Sequence, residues 1–151
     1  MTVHEKINLT VKDLMSCRGD FTPPKLREMT SKLEQYIESC GAKKVGMPIT
    51  ATYASNKALE TTDVQIFIPI DKEIATFQDF VFMSELHVEN CLMTKHKGNP
   101  QLVPVAYEAM ITKAKNLGYK IKKPAYNVII VEPSPTNMSD FEMDIYLPLD
   151  I

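Results

Sequence analysis

Six residues in two strand-like blocks carry the side chains best suited to bind a ligand or to take part in a reaction. Residues 63–71 read DVQIFIPID, and residues 142–150 read EMDIYLPLD. Because successive side chains of a strand face opposite sides, each block presents aliphatic residues on one side and polar or aromatic residues on the other. The polar and aromatic set comprises Asp63, Gln65, Phe67, Glu142, Asp144 and Tyr146. Carboxylates beside aromatic rings are typical of a cleft that binds a flat or hydrophobic cation.

The same alternation is also typical of an antiparallel sheet whose polar side is simply solvated. Both interpretations of the six residues remain open at this point. The aliphatic side of each block is the less ambiguous one, because helices are expected to cover it.

The two blocks belong to a longer internal repeat. Pro148 follows Pro69 by 79 residues, and Gly118 follows Gly41 by 77, with landmarks in the same order in each half. Such ordered self-similarity predicts a strand-helix-strand-strand unit that occurs twice. We therefore expect an α+β fold with pseudo-twofold symmetry, in which an antiparallel sheet has two main helices on one face and a concave cleft on the other. The chain is predicted to form a single domain, 1–151, made of repeats at about 1–71 and 80–151.

Two amphipathic patterns predict the helices that position these strands. The first runs from about Pro23 to Cys40, with Thr22 as its N-cap and Gly41 at its C-terminal end. The second runs from about 100 to 117, with Asn99 as N-cap and Gly118 at its end. Pro104 is expected to tighten the first turn of this second helix.

Composition narrows the class of protein. The chain has 151 residues, 44% hydrophobic and 24% charged, as in an ordinary globular protein. Its net charge of −2 argues against nucleic acid as a partner. The longest aliphatic run, residues 128–131, is far shorter than the roughly 20 residues that span a bilayer. We expect a cytoplasmic protein with neither a nucleic-acid nor a membrane partner.

Cysteine and histidine spacing points away from cofactor chemistry. The three cysteines and three histidines show no spacing typical of a disulfide framework, a redox pair or a zinc site. There is likewise no nucleophile elbow and no phosphate-binding glycine loop. The sequence therefore predicts no metal, no cofactor and no catalytic residue.

The second half resembles a known family. In order, the chain has Lys97-Gly98-Asn99, a helix, Leu117-Gly118-Tyr119, Pro124, a strand, a proline-containing loop and MDIYLPL at 143–149. This order is similar to that of the gyrase-inhibitor-like small-molecule-binding domain. That domain is also similar to the C-terminal effector-binding modules of bacterial multidrug-sensing transcription activators. The resemblance covers essentially the whole chain, and it implies a stand-alone member, because the first predicted strand begins near the N-terminus.

The resemblance implies a pocket between the two halves for hydrophobic, often cationic compounds. The acidic anchor of the family, usually glutamate, matches Asp144 here, which is one methylene shorter. In the family, the strand after the helix often carries a tyrosine. The matching residue in this chain is Ile129, which has no hydroxyl. Tyr126 and Tyr146 are the residues left to provide aromatic surface.

Three functions follow as hypotheses. The first is a non-enzymatic protein that binds or sequesters a hydrophobic or cationic small molecule, with a regulatory role. The second is a protein-interaction module that acts on a protein partner. The third is a small-molecule hydrolase in which Asp144 or Glu142 serves as a base.

Overall fold

The computed structural model describes residues 2–132, 134 and 136–151. The chain is an α+β protein with two α-helices and antiparallel strand pairs, as the sequence predicts. In chain order the elements are β1 (Val3–Phe21), α1 (Pro23–Ser39), β2 (Ile49–Asn56), β3 (Thr61–Pro69), β4 (Val81–Lys97), a 3₁₀ turn (Pro100–Leu102), α2 (Val103–Leu117), β5 (Lys120–Ile121), β6 (Ala125–Val131), a second 3₁₀ turn (Met138–Asp140) and β7 (Glu142–Asp150). The chain divides into two compact units, Thr10–His87 and Met1–Leu9 with Val88–Ile151.

In the unit Thr10–His87, β3 pairs with β1 on one edge and with β2 on the other. The α1 helix begins where the sequence predicts, because the Thr22 hydroxyl accepts a hydrogen bond from the Lys25 backbone N–H at 3.3 Å. The helix ends at Ser39, and Gly41 takes the left-handed conformation with φ of 76°.

The core of this unit lies between α1 and the aliphatic side of β3. Leu33 and Ile37 of α1 are fully buried against Ile66 and Ile68. Burying one such side chain contributes about 1.5–3 kcal/mol. The prediction that a helix covers the aliphatic side of the first block is confirmed.

In the other unit, β7 lies between β4 and β6, and the short β5 pairs with the end of β7. The first turn before α2 is a 3₁₀ turn. Leu102 N–H bonds the Asn99 carbonyl at 3.0 Å, and Val103 N–H bonds the Pro100 carbonyl. Pro104 has no N–H to donate to that carbonyl, so the tighter turn replaces an α-helical one, as the sequence predicts.

The core of this second unit lies between α2 and the aliphatic side of β7. Ala106 and Met110 of α2 pack in one buried cluster with Ile145 and Leu147. The helix ends at Leu117, and Gly118 adopts φ of 78°. We call residues 63–71 and 142–150 the closing blocks. The aliphatic side of each closing block is therefore buried beneath the helix of its own unit.

Both units also contain a β-bulge at the corresponding place. The β2–β3 register shifts between Thr52 and Ala54, and the β6–β7 register shifts between Ile129 and Val131. A bulge adds one residue to one strand and redirects the side chains beside it. The two-repeat domain and its symmetry stay predictions.

Among the described residues, neither helix combines the length and the apolar character needed to cross a membrane.

Candidate functional site

The polar side of β7 faces away from α2. Ile145 lies in the core beneath the helix, and alternate side chains of a strand face opposite sides, so Asp144 and Tyr146 lie on the side away from it. Asp144 is only 8% exposed, and Tyr146 is half-buried. A charged side chain so far from water requires a partner.

Strand β4 provides that partner. Lys95 stands directly opposite Asp144 in the β4–β7 ladder, and its Nζ donates to Asp144 Oδ1 at 3.4 Å. This contact is longer than the usual charge-assisted hydrogen bond of about 2.7–2.9 Å. The Lys95 side chain is 72% exposed, whereas that of Asp144 is 12% exposed. The pair joins a buried anion to a cation that stays largely in water.

Two tyrosines lie on the same side of this sheet. Tyr126 of β6 stands directly opposite Tyr146 of β7, and directly opposite residues project to the same side. Burial raises the pKa of Tyr146 above its ordinary value, and the nearby charge of Asp144 adds to the rise. The phenol is therefore protonated at neutral pH. We call Lys95, Tyr126, Asp144 and Tyr146 the Asp144 cluster.

Glu142, the other predicted acid of β7, is more exposed. Lys97 Nζ lies 3.4 Å from Glu142 Oε1, and the two side chains are 69% and 37% exposed. Ion pairs of this kind contribute little to stability. Glu142 thus belongs to a solvated ion pair at the start of β7.

The polar side of β3 is organised differently. Arg18 donates from Nε to Asp63 Oδ1 at 3.1 Å and from Nη2 to Asp63 Oδ2 at 3.0 Å. These two parallel bonds are the bidentate geometry that favours arginine over lysine. The hydrogen bond from Arg18 lowers the pKa of Asp63 below its ordinary value. Both oxygens of the Asp63 carboxylate therefore accept hydrogen bonds from a cation of the same chain.

The same guanidinium also lies on an aromatic ring. Arg18 Cζ is 3.6 Å from the centroid of Tyr53, close enough for cation–π attraction. The Tyr53 hydroxyl in turn donates to Gln65 Oε1 at 3.2 Å. We call Arg18, Tyr53, Asp63 and Gln65 the Arg18 cluster. It combines a carboxylate, a ring and a cation, the features predicted for a ligand site, with the cation supplied by the protein.

Phe67 and Gln65 have contrasting surroundings. Phe67 is 2% exposed, so its ring is part of the interior. Gln65 borders a groove of about 290 Å³ together with Arg18 and Asp79. Asp63 and Gln65 therefore meet in the Arg18 cluster, while Tyr126, Asp144 and Tyr146 meet in the Asp144 cluster.

A further groove, of about 540 Å³, runs along α2 and has Pro104, Tyr107 and Ile111 in its lining. Tyr107 donates a hydrogen bond to the Asn127 side-chain oxygen, and burial raises the pKa of its phenol. Among the described residues that line this groove, none is a predicted site residue.

Sequence reasoning missed three residues that define these clusters: Arg18, Tyr53 and Lys95. A signal for two of them exists, because a basic residue occurs late in the strand before each helix. Tyr53 carries no such signal, since it lies within the β-bulge between Thr52 and Ala54. In the part of the chain that the structure describes, no three histidine, cysteine, aspartate or glutamate side chains are grouped to hold a metal ion.

Comparison with known proteins identifies the fold. No family model matches the chain, and no curated protein sequence does. Among solved structures, the EcmrR C-terminal domain superposes with a TM-score of 0.74 at 12% identity, and the match covers 99% of both chains. This chain has the fold of the EcmrR C-terminal domain. The fold that the resemblance implies is therefore confirmed, and at this identity the likeness concerns the fold alone.

Other matches extend the comparison. In a structure of an EcmrR–DNA complex, the match has a TM-score of 0.76 at 12% identity and covers 98% of this chain but 57% of that one, so the chain spans little more than half of that protein. A hydrolase from Listeria innocua matches with a TM-score of 0.66 at 10% identity, over 97% and 92% of the two chains. SAV2435 bound to tetraphenylphosphonium matches with a TM-score of 0.50 at 10% identity, over 99% and 93%.

Proposed function

We propose that this protein binds a hydrophobic, cationic small molecule on the polar side of β7. Asp144 is the charged anchor, and Tyr146 provides aromatic surface. Tyr126, which is 8% exposed, lies opposite Tyr146 on the same side of the sheet and extends that surface inward. The observation that carries the proposal is the state of Asp144: the residue is 8% exposed, and the ammonium that faces it at 3.4 Å belongs to a side chain that is 72% exposed.

Physical chemistry supports this choice of ligand. A carboxylate removed from water attracts a cation more strongly than a solvated one does, because the local dielectric constant is lower. Ring faces add about 0.5–2 kcal/mol of cation–π attraction. The apolar groups of the ligand contribute further by leaving water. A compact inorganic cation would lack the last of these contributions and would have to shed a strongly bound hydration shell.

The fold comparison supports the same ligand class. SAV2435, which has a similar fold, has been seen with tetraphenylphosphonium, a cation whose charge is surrounded by four apolar rings. We propose that binding serves to sequester such a molecule or to report its presence, without chemical change of the ligand. The location of the ligand between two repeats stays a prediction, as does the participation of Gln65, Phe67 and Glu142. Asp63, which the sequence also predicts to contact the ligand, is not part of the proposed site, because both of its oxygens already accept hydrogen bonds from Arg18.

The test is calorimetric titration of the whole chain with tetraphenylphosphonium. We expect saturable binding that weakens at least about tenfold in the Asp144→Asn variant, since that substitution removes the anchoring charge but keeps the shape of the side chain. Asp63→Asn is the matched control, because Asp63 already holds Arg18, and we expect less than a twofold change. Equal losses in the two variants, or no binding by the unmodified chain, would refute the proposal.

Hydrolysis is the second candidate, because a hydrolase from Listeria innocua has a similar fold. Asp144 beside the protonated phenol of Tyr146 offers a base and a hydrogen-bond donor on one side of the sheet. Incubation with a panel of hydrophobic esters and epoxides, followed by mass spectrometry, separates the two candidates. Product formation that Asp144→Asn abolishes would favour the hydrolase, and unchanged compounds would favour simple binding.

A further inference from the structure

Lys95 occupies the place where a ligand cation would meet Asp144. The two residues are directly opposite in the β4–β7 ladder, so the backbone keeps the ammonium within reach of the carboxylate. The Lys95 Nζ to Asp144 Oδ1 distance is 3.4 Å. A ligand that pairs with the same oxygen must share it with this ammonium or displace it.

The contact has the features of an interaction that is easily broken. Its length exceeds the usual range for charge-assisted hydrogen bonds. Because the Lys95 side chain is 72% exposed, its ammonium is already hydrated and loses little on turning fully into water. A released lysine side chain also regains rotamer freedom. Release of Lys95 alone would leave Asp144 buried without a cation, so the contact is broken easily only when another cation takes the place of the ammonium.

Arg18 makes the opposite arrangement in the other unit. Its guanidinium holds both oxygens of Asp63, at 3.0 and 3.1 Å, and stacks on Tyr53. A competing cation would have to replace two hydrogen bonds and a ring contact at once. The Arg18 cluster is therefore closed to a ligand cation, whereas the Asp144 cluster is held by a single long contact.

We propose that Lys95 is an intramolecular competitor that sets the affinity of the Asp144 site for cations. A ligand cation binds by exchange, with the Lys95 ammonium moving into water as the ligand approaches Asp144. This inference rests on the proposed function. It makes Lys95 a specificity-determining residue, since a neutral hydrophobic molecule cannot take its place beside the carboxylate.

Lys97 offers a matched control on the same strand. Its Nζ is also 3.4 Å from a carboxylate oxygen, and its side chain is 69% exposed, but its partner Glu142 is 37% exposed rather than buried. Lys95→Met and Lys97→Met each remove one positive charge and keep the aliphatic stem. Any difference between the two variants therefore reports the contact with Asp144 and not the change in net charge.

The experiment is calorimetric titration with tetraphenylphosphonium of the whole chain, Lys95→Met, Lys97→Met and Asp144→Asn. We expect Lys95→Met to bind about three- to fivefold tighter than the unmodified chain, and Lys97→Met to stay within about twofold. Lys95→Gln serves as a second variant and should change affinity in the same direction. Triphenylphosphine oxide, a neutral molecule of similar shape, should not gain affinity from either Lys95 substitution.

The outcomes separate this inference from the proposed function. If the unmodified chain binds and Asp144→Asn does not, but Lys95→Met binds no more tightly, Lys95 is not a competitor although the site stands. An equal gain in Lys95→Met and Lys97→Met would attribute the effect to net charge and overturn the inference. If neither the unmodified chain nor Lys95→Met binds the cation, the proposed function itself fails.

Discussion

The Arg18 cluster and the Asp144 cluster contain the same kinds of group in different states. Each has a carboxylate on the polar side of β3 or β7, together with a basic side chain from a neighbouring strand and at least one tyrosine. In the Arg18 cluster the cation is held by two bonds of about 3 Å and lies on a ring. In the Asp144 cluster a single contact of 3.4 Å joins the two charges. The presence of an acid beside aromatic rings is therefore not enough to define a ligand site.

The aliphatic sides of the same two strands show no such difference. Ile66 and Ile145, which lie 79 residues apart, are 1% and 0% exposed, and each packs beneath the helix of its own unit. The fold requires both aliphatic sides. The polar sides differ, because Asp63 accepts two hydrogen bonds from Arg18 whereas Asp144 accepts one long contact from Lys95.

The largest effect that we expect concerns the aliphatic sides. Ile66→Ala and Ile145→Ala should each lower the free energy of unfolding by about 2–4 kcal/mol, since each removes buried methyl groups and leaves a cavity. Urea denaturation of the two variants measures these costs. Leu59→Ala is the control, because Leu59 is 67% exposed, and its cost should stay below about 0.5 kcal/mol. If the losses of Ile66→Ala and Ile145→Ala differ by more than about 2 kcal/mol, the two aliphatic sides do not contribute equally to stability.

A smaller effect sharpens the contrast between the polar sides. Arg18→Gln should raise the pKa of Asp63 toward its ordinary value near 4, since the bidentate contact with Arg18 is what lowers it. A carboxyl pKa that is lowered by folding contributes stability above the unfolded pKa, and this contribution is lost as pH falls through the folded pKa. The stability difference between the unmodified chain and Arg18→Gln should therefore shrink as the pH falls below about 4.

Carbon-13 titration of the Asp63 carboxyl, with denaturation at neutral and acidic pH, measures both quantities. Lys12→Gln is the matched control on β1, because Lys12 pairs at 3.4 Å with Glu85 in an exposed contact. It should leave the pKa of Asp63 where it is. An Asp63 pKa that is the same with and without Arg18 would contradict the closed state of the Arg18 cluster.

Much of the fold could be predicted from the sequence because its signals are local. The Thr22 cap, the glycines after the helices and the alternation of the closing blocks each act within a few residues, and all are found in the structure. Pro104 replaces an α-helical turn by a 3₁₀ turn for an equally local reason, the missing N–H. The strand β5 is only two residues long, too short to give a pattern.

The candidate site was less predictable because it depends on pairing across strands. Alternation assigns Asp144 to the polar side, but only the β4–β7 register places Lys95 opposite it. Tyr53 reaches Arg18 from a bulge, where the two-residue period of a strand breaks down. The burial of Phe67 and Tyr126 depends on tertiary packing, which the local pattern does not contain.

The central claim is that a ligand cation can displace the lysine from Asp144 but not the arginine from Asp63. Its most direct test is a crystal structure of the chain with tetraphenylphosphonium. We predict that the cation lies beside the carboxylate of Asp144, with the Lys95 side chain turned into solvent and the Arg18–Asp63 hydrogen bonds intact. A cation bound beside Asp63 with Arg18 displaced, or in the groove along α2 with the Lys95–Asp144 contact unbroken, would contradict that claim.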